Sequence, residues 1–385
     1  MLDLVGLSVV RTGMDTELTD EEWPLVTRFL PSGWEAAAST TGALKRRRKV
    51  AHAGDFLRLL LLWAGTGQSY RQTASCRAVH GCARMSKEAV GKRVRHSGPW
   101  LGWLLAELLA ARVARPEAGG RRWLATDGSN VVCARGKVQV KLHYALDLGS
   151  LRCASLRVTD LHEAEGLHQV ALGPGDVVLC DRYYAKPRSL AAAHRAGAQV
   201  IVRLGRSSLS LSAPEGGKLD LLPWLRGVGY EPGECAAGFR DPESGEWVGG
   251  RVCALRLSEP QAAKARETAR RAAKEDHRQI QPETLEWAGF CVVFTTTTDL
   301  SAAEVLAWYR ARWQVELAFK RLKSLLEASE MPDVGQETAE IWLQAKMVYA
   351  LLLEVYLDDA GAFSPWGYPL GDAEPPLCLA GHGLG

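Results

Sequence analysis

The chain has 385 residues, of which 47% are hydrophobic and 24% charged, and its net charge is +3. That length is too great for one small core and predicts two or three domains, with the composition of a soluble globular protein. A charge so close to neutral excludes a polybasic protein, so any contact with nucleic acid has to be local.

The first 115 residues read as mostly helical. Thr19 followed by Asp20, Glu21 and Glu22 predicts a helix running to Leu30, closed by Pro31, Ser32 and Gly33. Lys45 to Lys49, KRRRK, is a compact basic run able to follow a phosphate backbone, and Asp55 to Ala64 reads as a core helix. Next come a helix from Ser69 to Val79, a turn around Gly81 and a second helix from Ser86 to Arg95. This is helix-turn-helix spacing, and it leaves Lys87, Lys92 and Arg93 available to DNA.

After a linker at Pro116 to Gly120 the character changes. Trp123 to Thr126, Val138 to Leu146 and Cys153 to Leu161 read as strands of an antiparallel meander. Glu163 to Ala171 reads as a short helix. Asp176 to Cys180, DVVLC, has the unbroken apolar character of a buried strand. A helix from Lys186 to Ala196 and a strand from Val200 to Leu204 complete an α/β pattern with a mixed sheet. Residues 205–298 read as a β-rich insertion with one exposed helix from Glu259 to Arg278, and Phe290 to Thr296 returns as a strand.

Asp127 and Asp181 each follow a predicted strand. An Asp in that position can be a turn or cap residue, but two on neighbouring strands can also share a divalent cation. The third element of interest is Ser301 to Leu326. Ser301 with Glu304 forms a capping box, and no Gly or Pro follows until Pro332. Val305, Leu306, Trp313, Leu317, Leu322 and Leu325 form its apolar stripe. Tyr309, Arg312, Glu316, Lys320 and Lys323 fall on one face along about 20 Å of helix, so one carboxylate stands among three cations and a phenol. Such a face suits one metal ligand held close to several phosphates, although charges alternating along a helix also describe a solvated surface. Glu337 to Leu357 is a further amphipathic helix, and from Asp358 the Gly- and Pro-rich sequence predicts a poorly ordered tail.

Nine scattered cysteines without a CxxC pair read as reduced thiols in a cytoplasmic protein. The N-terminus has no signal-peptide pattern, and the apolar clusters are too short to span a bilayer.

The spacing Tyr309-x2-Arg312-x3-Glu316-x6-Lys323 resembles the Y-R-E-K signature of the IS-four family of bacterial insertion-sequence transposases. Asp127 in TDGS and Asp181 in LCDRYY are similar to that family's two catalytic aspartates. The resemblance implies a ribonuclease-H-like catalytic core, formed by residues 121–204 and 299–357 around a β-rich insertion at 205–298, a helical DNA-binding domain at 1–115 and a tail at 358–385. It also implies a DDE triad of Asp127, Asp181 and Glu316 that holds two Mg²⁺ or Mn²⁺ ions astride a phosphodiester. Tyr309, Arg312 and Lys323 correspond to phosphate-gripping positions, and Lys320 and Arg182 are chemically suited to the same task. The partners implied are DNA with terminal inverted repeats, target DNA and a second subunit in a synaptic homodimer, in a bacterial cytoplasm at the nucleoid. Where such enzymes flip a base onto an aromatic residue of the insertion, Trp224, Trp247 and Trp287 are the candidates here, each also able to serve as core.

Overall fold

Eight strands of the chain pair into one sheet with the order β3-β2-β1-β4-β5-β8-β7-β6. They are β1 (Arg122–Val132), β2 (Val138–Asp147), β3 (Cys153–Thr159), β4 (Asp176–Cys180), β5 (Gln199–Arg203), β6 (Gly233–Arg240), β7 (Trp247–Arg256) and β8 (Phe290–Thr295). The computed structural model describes residues 23–47, 49–65, 67–79, 84–111, 120–132, 138–150, 152–160, 162–313, 315–316 and 334–361. These divide into two units: one runs up to Leu104 and resumes at Ala345, and the other runs from Leu105 to Gln344.

The first unit is helical. It contains α1 (Trp23–Thr27), α2 (Trp34–Thr40), α3 (Ala53–Gly65), α4 (Tyr70–Val79), α5 (Lys87–Arg95) and the start of α6 (Gly98–Ala110). Its core is aromatic: Phe56 stacks on Trp100 at 5.5 Å, and Trp34 lies on Trp100 at 6.3 Å. α4 and α5 occupy the two predicted helix-turn-helix segments, while Gly81 between them lies outside the described residues. Ser86 caps α5 by accepting the Ala89 N–H at 3.3 Å.

In the second unit β1, β2 and β3 form an antiparallel meander, and β4 and β5 add to it in parallel. β4 is buried along its whole length, as an unbroken apolar run between two covered faces requires. One face packs Leu124, Val178, Val200 and Val202 beneath α7 (Pro187–Arg195). The other packs Val177, Leu179 and Ile201 against Val305 and Leu306 of α11 (Ala302–Ala311).

Several expectations need correction. Residues 205–298, read as β-rich with one helix, hold three helices beside their three strands. β8 pairs antiparallel with β5, β7 with β8 and β6 with β7, so these strands extend the central sheet. Helices α8 (Leu221–Gly227), α9 (Glu259–Glu275) and α10 (Pro282–Trp287) lie between the strands. The segment 163–171 holds only a 3₁₀ turn at Leu167–Gln169, because Gly166 before it is fully extended at φ 174°. β1 does not stop at Thr126: β2 keeps pairing with it to Val132, and this overrides the turn propensity of Asp127-Gly128-Ser129.

The parallel β1–β4 pair is clamped at its start. Arg122 donates from Nε and Nη2 to the two oxygens of Asp176 at 2.8 and 2.7 Å, and Asp176 is 3% exposed. Removing one partner would leave a buried charge alone. Arg122→Met is therefore expected to destabilise the protein by about 3–5 kcal/mol. Asp176→Leu added to it should restore most of the loss, and chemical denaturation of the single and double variants checks this.

Candidate active site

The two aspartates meet through strand register. The β1–β4 pairing runs to Ala125 opposite Leu179, so Asp127 and Asp181 stand two residues beyond the last pair on adjacent parallel strands about 4.8 Å apart. Side-chain alternation puts Asp127 on the face of Trp123, which is the face covered by α11. β1 continues past this point while β4 ends at Cys180, so the pair sits at the edge where the parallel ladder stops.

Each carboxylate uses one oxygen locally. Asp127 Oδ1 accepts the Gly128 N–H at 2.9 Å, and Asp181 Oδ1 accepts the Tyr183 N–H at 2.8 Å and caps the 3₁₀ turn Arg182–Tyr184. The structural role of Asp181 as a cap is therefore real, and it leaves the second oxygen available. Burial, followed by the charge of Asp181, pushes the Asp127 carboxyl up to about 6, with Arg312 opposing and Glu165 adding to the rise. Two close carboxylates with free oxygens, one of them destabilised as an anion, form a donor set that fits a hard divalent cation.

Glu316 does not join them. It is exposed and accepts a hydrogen bond from Arg312 Nη2 at 2.5 Å. Among the described residues, no three His, Cys, Asp or Glu side chains converge on a common metal position. The Arg312 guanidinium is the cation that links the acids: it bonds Glu316, lies 5.9 Å from the Tyr309 ring and lowers the Asp127 carboxyl. Burial works against its charge, but Tyr309 and Glu316 outweigh burial and hold the group above its ordinary value.

The helix that carries these residues is not continuous. α11 ends at Ala311, and the Arg312 and Val315 N–H groups donate to Tyr309 and Arg312 carbonyls, the i→i−3 bonds of a 3₁₀ tightening. This moves Trp313 out of the expected apolar stripe and leaves it 49% exposed, while Val315 takes the buried place. Tyr309, Arg312 and Glu316 still share one side. Lys320, Lys323, Leu317, Leu322 and Leu325 lie outside the described residues.

Sequence reading missed three contacts. Trp123 stacks on Trp308 with ring centres 3.7 Å apart and planes 8° apart, which pins α11 to the start of the strand that carries Asp127. Glu165 lies against Gly128, where any Cβ would run into its carboxylate. Tyr183, directly after Arg182, is exposed, with the Arg182 guanidinium 5.5 Å from its ring. Only the Tyr-Tyr doublet beside Asp181 could have signalled the last of these.

In the helical unit Lys92 is exposed and Lys87 pairs loosely with Glu88 at 3.7 Å. Arg93 is committed to packing: it donates to the Arg46 carbonyl and lies 5.9 Å from the Phe56 ring. Lys49 donates to the Arg84 carbonyl at 2.9 Å, which ties the end of the basic run to the segment before α5. Of the insertion tryptophans, Trp287 is buried, Trp224 packs against the core and Trp247 is exposed.

A mixed sheet with two acids where its parallel ladder ends, faced by a helix with a third, is consistent with the ribonuclease-H-like catalytic domain of a DDE transposase. The family described as Transposase DDE domain matches residues 113–352, and the chain belongs to it. InsL of insertion sequence element IS186A, from Escherichia coli K12, is 30% identical over 344 residues, covering 87% of this chain and 93% of its own. The transposase for insertion sequence element IS421 of Escherichia coli is 30% identical over 345 residues, with the same shares covered. Among the described residues no helix is long and apolar enough to cross a membrane.

Proposed function

We propose that this protein is the transposase of an insertion sequence, cutting and joining DNA at terminal inverted repeats. The observation that supports this reading is the pair Asp127 and Asp181, two residues past the last β1–β4 pair, with the Arg312 guanidinium acting on Asp127 and bonded to Glu316. Divalent ions, two Mg²⁺ or Mn²⁺, would be held by Asp127 and Asp181 with Glu316 as the third ligand, and would supply Lewis acidity and an activated oxygen nucleophile. Arg312 keeps the acids neutralised until DNA arrives. Released from Glu316, its guanidinium is placed to grip a phosphate beside them, with Tyr309 bracing it. Arg182, Lys320 and Lys323 add positive charge for the same backbone. Lys87 and Lys92 on α5 serve repeat recognition through phosphate contacts, and Arg93 supports that surface from behind. A second subunit is proposed to pair the two ends in synapsis.

The test is a joining assay. A labelled duplex carrying the inverted repeat that flanks the reading frame is incubated with the protein, Mg²⁺ and a supercoiled plasmid. Repeat-dependent joining is expected. Cutting of any DNA regardless of sequence would contradict the reading. One observation favours a second reading, a DNA-binding protein derived from a transposase but without catalysis: Glu316 is tied to Arg312, and among the described residues no three acids converge. That protein would bind the repeat and never join it with any divalent ion.

A further inference from the structure

Gly128 sits inside a paired strand, opposite His143 of β2, and its φ is not in the left-handed region. A glycine at such a place weakens the strand, and where the backbone does not need it, it marks the close approach of another group. Here that group is Glu165: a Cβ on Gly128 would overlap its Oε1 and Cδ. Side-chain alternation sets this contact on the face of β1 opposite Asp127, at a level where β4 has already ended. Glu165 is half-buried and, among the described residues, makes no hydrogen bond or ion pair. The segment that carries it is fixed on both sides. Gln169 donates to Glu163 at 2.7 Å, and the Leu167 N–H donates to Ser189 Oγ of α7 at 3.0 Å. Tyr184 packs on the same face and is wholly buried. Its hydroxyl stands beside that of Thr126, which already donates to the Tyr144 carbonyl at 2.9 Å, and it forms no well-aligned hydrogen bond of its own. The charge of Glu165 reaches both this hydroxyl and Asp127.

We propose that Glu165 is a fourth acid of the metal centre, strengthening the hold of Asp127 and Asp181 on a divalent cation through its charge and without entering the ligand set; the proposal rests on the reading of those aspartates as the metal-binding acids. A half-buried carboxylate with no cation of its own is unfavourable until something positive is brought to it. The nearby Arg312 guanidinium is committed to Glu316. Hard divalent ions keep several waters when one or two carboxylates hold them, so an acid outside the ligand set still meets the hydrated ion. The buried Tyr184 hydroxyl, a donor without a firm acceptor, makes that side of β1 fit for such water. Direct ligation is not the role the geometry gives, since among the described residues no three acids converge. Packing does not account for Glu165 either: a carboxylate oxygen set against a strand glycine buries charge, not apolar surface.

The experiment titrates Mn²⁺ into the full chain without DNA and reads bound metal by water-proton relaxation. The parent is expected to show a saturable site that Asp127→Asn abolishes. Glu165→Gln, which keeps the shape, should weaken Mn²⁺ binding by about 10-fold, with a Tm in EDTA no lower than the parent's. Glu165→Asp, which keeps the charge, should retain most of the affinity. Gly128→Ala displaces the carboxylate and should weaken Mn²⁺ binding as well. In a Glu165→Ala background the same change should alter affinity by less than about twofold. Parent-like affinity in Glu165→Gln, a loss as complete as that of Asp127→Asn, or an equal effect of Gly128→Ala in both backgrounds overturns the proposal. The two readings separate in the same titration. If Asp127→Asn binds Mn²⁺ as the parent does, the assignment of the aspartates fails, whatever Glu165 does. If it loses Mn²⁺ while Glu165→Gln binds normally, only the role of Glu165 fails.

Discussion

Asp127→Asn is expected to make the metal-free protein more stable while slowing DNA cleavage by at least about 10³-fold. In the native fold this carboxyl is held at about 6 instead of its ordinary 3.8, first by burial and then by Asp181. A group whose folded value is raised favours the fold only while it is protonated. That contribution is present below about pH 4 and is lost as pH rises to about 6. At about 1.4 kcal/mol per pH unit, the ionised carboxylate costs about 3 kcal/mol above pH 6. Asn keeps the shape without the charge. In EDTA at pH 7.5 its Tm should exceed the parent's by several degrees, and the difference should vanish near pH 4. An aspartate that only shaped the strand would give the opposite pair of results: no gain in stability, and cleavage intact.

The second large effect is expected at Arg312. Its guanidinium bonds Glu316, braces against Tyr309 and opposes the rise at Asp127, so it serves three groups at once. Arg312→Ala should reduce cleavage by about 10²- to 10³-fold, while binding of the repeat is retained. Because Arg312 lowers the Asp127 carboxyl, its loss lets that value climb further. The acid limb of the pH–rate profile should therefore move to higher pH. Lysine should restore only a small part of the rate, since a single ammonium cannot bond Glu316 and cover the Tyr309 ring in the same planar geometry. Single-turnover cleavage across pH 5.5 to 8.5 checks all three statements.

The candidate acids stand out in the sequence because the pattern around each is local. An Asp after an apolar run and a Glu with an Arg four residues before it stand out in one dimension. Their mutual register was not legible. It is set by the β1–β4 pairing, with Ala125 opposite Leu179, a contact between distant segments. The merging of β6, β7 and β8 into the central sheet was hidden for the same reason. Short, Gly-rich strands such as Gly233–Arg240 have little pattern of their own, and their place is set by the edge that β5 offers. Propensity finds no breaker in the long helix from Ser301 and predicts it continuous. The 3₁₀ tightening at Arg312 comes with the side-chain bond to Glu316, and the exposure of Trp313 follows from it. Helix position alone places Arg93 among DNA contacts, whereas its packing on Phe56 and bond to Arg46 arise only in the folded unit.

Asp127, Asp181 and Glu316 are proposed to act together on a transposon end. The most direct measurement is a nicking assay on labelled duplexes carrying the inverted repeats that flank the reading frame, with Mg²⁺ or Mn²⁺, run beside Glu316→Gln. Nicks are expected at the repeat boundary, disappearing in the variant while repeat binding persists. Nicks of equal yield with Glu316→Gln, or firm binding of the repeat with no nick by the parent protein in either metal, would contradict it.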